Sequence, residues 1–405
     1  MRTKNGGEMR KSIVLLFVVL CVGILSAETS TGGTSWESGI LKWTSDDGNF
    51  QTRLDVRMYL DFAQFLNSEN DFRNGTMLRR GRFAVKSKLW EVWNAEYDMD
   101  IADNSVEVKD MWFSYNGFKN GFIKVGHFKV PFSLNELTSS RLLTFMERGY
   151  PNVFPPGRRS ALGVTKWGNI WHLSTAVYGQ ELAEKEQTRI DESIGFAGRF
   201  ALSPRIGEKL LFHLGAGGVY QTPDNDSESI EYKIEPEAKM GDSEILVADI
   251  SDVETIILYG LEGAVKYDNF SIQGEYIQSN LARLNDLEDV TFSGFYTFLS
   301  WIITGEERPY YVNEGEFGQV IPNSKKGAFE LAVRYSHLDL TDEDALIFGG
   351  MANNIVVGLN WYANPNLRIM LNYNIVDNSE NANMGGSLIG NDDFNVFQMR
   401  AVVNF

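Results

Sequence analysis

The sequence predicts an all-β fold: a 16-stranded antiparallel transmembrane β-barrel with one loop folded inward as a constriction. Three observations predict it. Apolar and charged residues alternate strictly through segment after segment of the chain. The segments run about ten residues, the length that crosses a membrane at barrel tilt. Aromatic residues gather at their ends, as in Trp90/Trp93, Trp112/Phe113/Tyr115, Trp167/Trp171 and Trp361-Tyr362, which suits girdles at the two membrane surfaces.

The N-terminus is an export signal. Arg2, Lys4, Arg10 and Lys11 form a basic region, Ile13 to Leu25 an apolar run, and Ser26-Ala27 a small-residue cleavage site, so residues 1–27 read as a signal peptide. A lipoprotein reading through Cys21 lacks the small residue expected just before the cysteine, where Val19-Leu20 stands. Cleavage after Ala27 removes four basic residues and Glu8, taking the net charge from −17 to −20, and removes the single cysteine. An exported chain without disulfides needs another source of stability, and strand closure in a membrane supplies it. The longest apolar stretch of the mature chain, Phe292 to Thr304, is interrupted by Ser293, Gly294 and Ser300 and does not read as a membrane helix.

Residues 28–49 read as an N-terminal periplasmic segment, and the barrel as 50–405. From Arg53 to Phe62, Leu54, Val56, Met58, Leu60 and Phe62 share one parity, and Arg53, Asp55, Arg57 and Asp61 the other. Period two with charge on one face is a strand with one greasy and one wet side. Phe83, Val85 and Leu89 then alternate with Arg80, Arg82, Lys86 and Lys88; Trp93, Ala95, Tyr97, Met99 and Ile101 alternate with Asn94, Glu96, Asp98 and Asp100. Strands are expected near 51–63, 78–90, 93–102, 107–116, 121–129, 160–167, 170–179, 193–202, 209–220, 255–266, 270–282, 289–302, 328–339, 353–363, 367–377 and 394–405. That is sixteen, an even number as bacterial barrels require. Short turns at Ser203-Pro204, Asp268-Asn269 and Asn364-Pro365-Asn366 would face the periplasm. The last strand ends the chain on Phe405, which looks like a recognition signal for outer-membrane assembly machinery.

Two connections are long. Residues 130–159 contain Pro131, Pro151, Pro155 and Pro156, so they cannot pair as a strand; folded inward they would narrow the lumen. Residues 221–254 form an acidic extracellular loop. Lumen parity carries both signs: Arg53, Arg57, Arg80, Arg82, Lys86 and Lys88 on the first two strands, and Glu96, Asp98 and Asp100 on the third. The inward loop adds Arg141, Arg148, Arg158 and Arg159. A cationic ring in a low-dielectric throat would hold anions; charges that merely keep the passage wet are the plainer alternative.

Other chemistries lack support. His127, His172, His213 and His337 are scattered over four strands, with no nucleophile and base to place together. No Cys/His set suggests zinc, and no Gly-rich loop follows a strand into a helix to cradle phosphate. No enzyme, cofactor, metal or nucleic-acid partner is expected. A structural or adhesive surface barrel using the long loops as a platform is the rival of another class.

Several short motifs resemble the phosphate-selective porin O and P family. They are L-R-R-G-R-F (Leu78 to Phe83), E-Y-D-M-D (Glu96 to Asp100), I-K-V-G-H-F (Ile123 to Phe128), N-E-L-T-S-S-R (Asn135 to Arg141) and F-M-E-R (Phe145 to Arg148). T-G-E-E-R-P-Y (Thr304 to Tyr310) and G-L-N-W-Y-A-N-P (Gly358 to Pro365) complete a collinear match over the mature chain. The resemblance implies an integral outer-membrane barrel, usually a homotrimer in lipid, passing small inorganic or organic ions or other hydrophilic solutes by diffusion. It also implies a pore constriction built from Arg79, Arg80, Asp98, Ser140 and Arg141. Guanidinium forks suit oxyanions, and an acid can accept a proton from hydrogen phosphate. Arg79 has membrane parity, so it must lie above the lipid or at a bulge. The chain departs from the family in the acidic loop. Phosphate-specific members carry arginines where Tyr232-Lys233-Ile234-Glu235-Pro236-Glu237 stands here, with Asp224, Asp226, Glu228, Glu231 and Glu244 nearby. Acids at the mouth would repel anions, which leaves a phosphate-preferring pore and a non-specific or cation-tolerant one both open.

Overall fold

A chain that alternates greasy and charged residues satisfies lipid and water together only if its strands close into a cylinder, because a free sheet edge in lipid strands unpaired backbone groups. The computed structural model describes residues 32–37, 40–102, 105–179, 194–223, 228–240 and 243–405. The signal peptide with Cys21, and Asp224 and Asp226, lie outside the described residues. A hairpin of β1 (Gly33–Glu37) and β2 (Ile40–Thr44) precedes the wall. The wall begins with β3 (Phe50–Leu66), β4 (Gly75–Leu89), β5 (Trp93–Asp100), β6 (Glu107–Phe118), β7 (Gly121–Lys129), β8 (Arg158–Trp167) and β9 (Trp171–Tyr178). It continues through β10 (Gly195–Leu202), the two-residue β11 (Arg205–Ile206) and β12 (Leu210–Gln221). After a loop hairpin of β13 (Ile230–Ile234) and β14 (Leu246–Ile250) come β15 (Val253–Tyr267), β16 (Phe270–Arg283) and β17 (Val290–Ile302). After β18 (Tyr310–Tyr311) and β19 (Glu316–Phe317) the wall ends with β20 (Ala328–Asp342), β21 (Ile347–Tyr362), β22 (Leu367–Asn378) and β23 (Phe394–Asn404). Leaving aside β11, which adds two residues beside β12, each of the sixteen wall strands pairs antiparallel with the next, β10 directly with β12, and β23 closes on β3 from Asn395↔Leu66 to Asn404↔Arg57. All sixteen segments expected from the alternation are these wall strands.

The faces sort as the parity requires. On β3, Met58 and Leu60 are half exposed on the outside, whereas Asp55 and Tyr59 are 1% and 0% exposed inside. The segment before residue 50 is not detached from the wall. Where β23 runs out, β2 takes over its flank of β3, from Leu41↔Leu54 to Thr44↔Gln51. Three of the aromatics expected in the girdles instead have lumen parity: Trp112 faces Glu96, Trp167 faces His172, and Tyr362 is buried at 5% exposure. Adjacent residues of a strand point to opposite faces, so each aromatic pair sends one ring inward.

The inward loop, residues 130–157, crosses the lumen as expected. It starts with a one-turn helix, Leu134–Leu137, whose first amides are capped by a wall carboxylate: Leu134 N and Asn135 N donate to Glu275 at 2.6 and 2.8 Å. A backbone inside a barrel has no ladder of its own, so its carbonyls need donors. The wall of β17–β23 and its turns provides them. Arg308, Arg368, Arg400 and Arg334 donate to the carbonyls of Leu142, Leu143, Met146 and Glu147, and Asn360 to that of Thr144.

The acidic loop also folds in. The β13–β14 hairpin packs on the inside of β20 and β21, where Tyr232, Leu246 and Ile250 join Phe132, Tyr150, Phe154, Phe292 and Leu338 in one apolar cluster. Glu237 at its tip is 2% exposed and ion-paired with Arg334. Glu235 pairs with Lys239 at 3.3 Å. The expectation of free acids at the mouth is therefore corrected for these two residues, because each carboxylate already has a cation. A further insertion was not expected. At the short-turn end, residues 303–327 between β17 and β20 rise into the lumen, where the Gly315 carbonyl accepts from Arg199 at 2.8 Å and Tyr310 bonds His213 at 2.7 Å. Loops and insert together fill the β12–β23 side of the barrel. The space left runs along β3–β9.

The Arg400 contacts measure how firmly the inward loop is held. Its guanidinium meets Asp61 at 2.7 and 2.6 Å and Glu147 at 2.6 Å, with all three side chains at most 10% exposed. Removing one partner of a buried ion pair costs about 3–5 kcal/mol. Arg400→Ala is expected to lower the urea-unfolding free energy of the vesicle-inserted barrel by an amount in that range, and its midpoint accordingly; an unchanged midpoint would show that the loop is held elsewhere.

Candidate functional site: the pore constriction

The constriction is built where three elements meet: β3 and β4, the inward loop, and the short-end insert. β4 carries a bulge. Tyr59 faces Arg80 but Leu60 faces Leu78, so Arg79 is the extra residue. A bulge lets two successive side chains leave the same face of a strand. The two consecutive arginines therefore both reach the lumen, which resolves the parity conflict at Arg79. Their roles then diverge. Arg79 makes a two-pronged ion pair with Glu147 of the inward loop, at 2.8 and 3.0 Å. Burial acts to raise the Glu147 carboxyl, but Arg79 and Arg400 override it and hold the group well below the ordinary carboxylate range. Arg80 has no carboxylate partner among the described residues, and its Nε lacks any hydrogen-bond acceptor.

Ser140 comes to the same place from the loop and accepts from Arg57 Nη1 at 3.4 Å. Arg141 reaches Asp55 at 3.1 Å, and Lys86 reaches the same carboxylate at 3.4 Å and Glu96 at 3.0 Å. Asp98 is 1% exposed and stands behind the arginines, 3.9 Å from Arg57 and 3.7 Å from Arg82. Asp100 accepts from Arg82 at 3.0 Å and from the amides of Gly81 and Ala102. Eight of the residues expected at the pore line one cavity of about 920 Å³: Arg57, Arg79, Arg80, Arg82, Lys86, Glu96, Ser140 and Arg141. Asp98 and Asp100 orient the arginines from outside it. Arg53, paired with Asp55 at 3.2 Å, and the exposed Lys88 also lie outside it.

The cavity contains more cations than the sequence reading placed there. Lys109, Lys124, Lys129, Arg148 and Arg158 join its wall, which gives eleven basic side chains against Glu96, Asp110, Glu314 and Glu316. Lys124 shares lumen parity with Phe122 and Phe128 on β7, a signal the alternation carried; Lys129, five residues on, has the other parity and reaches the cavity at the end of the strand. Arg148 and Arg158 were visible as loop bases. Glu314 and Glu316 come from the short-end insert, which no periodicity marks. Carboxylate oxygens of Glu96, Asp98 and Asp110 approach within 4.8 Å of one another, but Lys86, Arg57, Arg82 and Arg158 already hold them.

The comparisons agree with this geometry. The model of the family described as phosphate-selective porin O and P matches residues 52–405. The chain belongs to that family. Porin O of Pseudomonas aeruginosa is 24% identical over 377 residues, covering 83% of this chain and 85% of the relative. An uncharacterized protein of Caulobacter vibrioides is 26% identical over 364 residues, 85% of this chain and 71% of the relative. Among solved structures, the anion-selective porin from Comamonas acidovorans superposes with a TM-score of 0.54 at 13% identity, covering 88% of this chain and all of that one. OmpT of Vibrio cholerae, an outer membrane protein solved in a trimer form, gives 0.56 at 9% identity, covering 88% and 99%. The chain is an integral outer-membrane β-barrel of the porin class, and its family and fold are those of a channel.

The insert adds a titratable group to the pore. Burial, followed by the charge of Glu314, pushes the Glu316 carboxyl up to about 8. Below that pH it is neutral; above it the lumen gains a negative charge. Anion preference is expected to fall as pH rises from 7 to 9, and to fall less in Glu316→Gln, as read from reversal potentials in a KCl gradient. The same fall in both proteins would assign the titration to another group.

Proposed function

We propose that this chain forms a trimeric, anion-preferring diffusion channel in which Arg57, Arg80 and Ser140 meet small oxyanions at the narrowest point. The observation that carries the reading is the Arg80 guanidinium, aimed into the cavity without a carboxylate partner among the described residues. The other arginines of the expected constriction are committed, Arg79 to Glu147 and Arg141 to Asp55, and so is the pore-lining Arg82, to Asp100. A guanidinium free of intramolecular partners offers its donors to a passing anion. The surplus of basic side chains along the cavity acts in the same direction by raising the local anion concentration. The family membership supports phosphate as one such anion, and the trimer form of a solved structural neighbour supports the assembly. We read the long loops as extracellular and the short turns as periplasmic, with Phe405 presented to the assembly machinery at that end. Selectivity among anions is expected to be loose. The acidic loop contributes Glu235 and Glu237, each tied to a cation, rather than a row of arginines leading to the throat.

The test is the reversal potential of purified channels in planar bilayers, with and without phosphate. A unit charge about 6 Å from an ion in water contributes about 0.7 kcal/mol, roughly a threefold change in occupancy. Arg80→Ala is expected to lower the anion-to-cation permeability ratio by about that factor or more, and Arg141→Ala by less because Asp55 already offsets its charge. Equal and negligible effects of both would refute the anion reading. The absence of channel steps from folded protein would leave only a structural role.

A further inference from the structure

The inward faces of β6 and β7 carry a feature that selection for inorganic ions does not require. Among the charges and amides of this wall, Trp112, Phe122 and Phe128 point into the same cavity as Arg80. Two glycines make room for them. A Cβ on Gly126 would lie 2.6 Å from the Trp112 Cα, and one on Gly163 would lie 3.1 Å from the Phe128 ring. Lys124 stands among the rings, its Nζ 4.2 Å from the Trp112 centroid, 5.3 Å from Phe122 and 5.2 Å from Phe128. It has no ion pair among the described residues. Register puts this shelf beyond the arginines toward the short-turn end: Arg82 faces Asp100, whereas Lys86 faces Glu96, which faces Trp112. Asn94, Asn116, Thr165 and Gln319 line the cavity with it.

We infer that this shelf is a subsite for the body of a phosphorylated sugar whose phosphate sits on the Arg57, Arg80 and Ser140 clamp. Aromatic faces beside amide and hydroxyl groups suit a sugar ring, which offers C–H faces to the rings and hydroxyls to the amides. An ammonium without a carboxylate partner adds attraction for an anionic solute. The size agrees: about 920 Å³ lies within the range of roughly 300–1,000 Å³ that holds small organic ligands. The inference rests on the clamp proposed above.

The experiment compares current block by inorganic phosphate, glucose 6-phosphate and glucose in planar bilayers, for wild type, Arg80→Ala, Trp112→Ala with Phe122→Ala, and Trp112→Phe. In wild type, glucose 6-phosphate is expected to half-block at a concentration roughly five- to tenfold below that of inorganic phosphate, the scale of one good aromatic contact. In Trp112→Ala with Phe122→Ala that ratio is expected to fall to about one, and Trp112→Phe, which keeps a ring, is expected to retain most of it. A wild-type ratio near one, a ratio unmoved by loss of both rings, or block by neutral glucose as strong as by glucose 6-phosphate would overturn the inference. Phosphate block unaffected by Arg80→Ala would instead sink the clamp and leave the shelf to be judged by the ratio alone.

Discussion

A polypeptide threaded through the inside of a barrel must find donors for carbonyl groups that no strand can satisfy. Here that need is met by arginines. Arg308, Arg334, Arg368 and Arg400 reach from the β17–β23 side to carbonyls of the inward loop, and the charges of Arg308, Arg334 and Arg400 are offset by Glu330, Glu237, Asp61 and Glu147. A guanidinium suits the task because it presents five donors in a fixed plane and can bond a carbonyl and a carboxylate together. Once the loop is fixed, the position of Ser140, Arg141 and Glu147 relative to the opposite wall is fixed too.

This tether divides the lumen by electrostatics as well as by volume. On the filled side, nearly every charge is paired and buried against the apolar cluster of Phe132, Tyr150, Tyr232 and Leu246. On the open side, the pairs are incomplete. Asp55 is shared among Arg53, Lys86 and Arg141, and Asp98 stands between Arg57 and Arg82 at distances too long for strong hydrogen bonds. One carboxylate among several cations leaves positive charge uncompensated, and that surplus faces the water path. A whole-chain charge of −17 therefore says little about the passage. The acids that outnumber the bases are largely elsewhere, and of those lining the cavity Glu96 and Asp110 are already held by Lys86 and Arg158.

The wall was readable because its rule is local. A strand that separates lipid from water must alternate at period two, and each strand carries that record without reference to any other. The motif L-R-R-G-R-F shows where such a rule stops. Parity put Arg79 among the lipid-facing residues; the bulge against Tyr59 and Leu60 turned it inward, and a bulge depends on the partner strand's register. Trp112 shows the complementary limit. Its neighbour Phe113 shares the aromatic signal, and parity could have assigned one ring to each face, but clustering alone suggested a girdle.

The sequence by itself determined the sixteen strands, their closed antiparallel order and which side of each meets lipid. These follow from the period of hydrophobicity and the cost of an unpaired backbone in a membrane. Only the tertiary structure decided which charges are free. Arg79, Arg80 and Arg82 lie within four residues and look alike as a string, yet one is spent on Glu147, one on Asp100 and one has no carboxylate partner among the described residues. The short-end insert was likewise silent, because its residues are held by single contacts such as Gly315 with Arg199 and Tyr310 with His213, not by a repeating pattern. Pairing between residues a hundred positions apart depends on distances that a linear period does not encode.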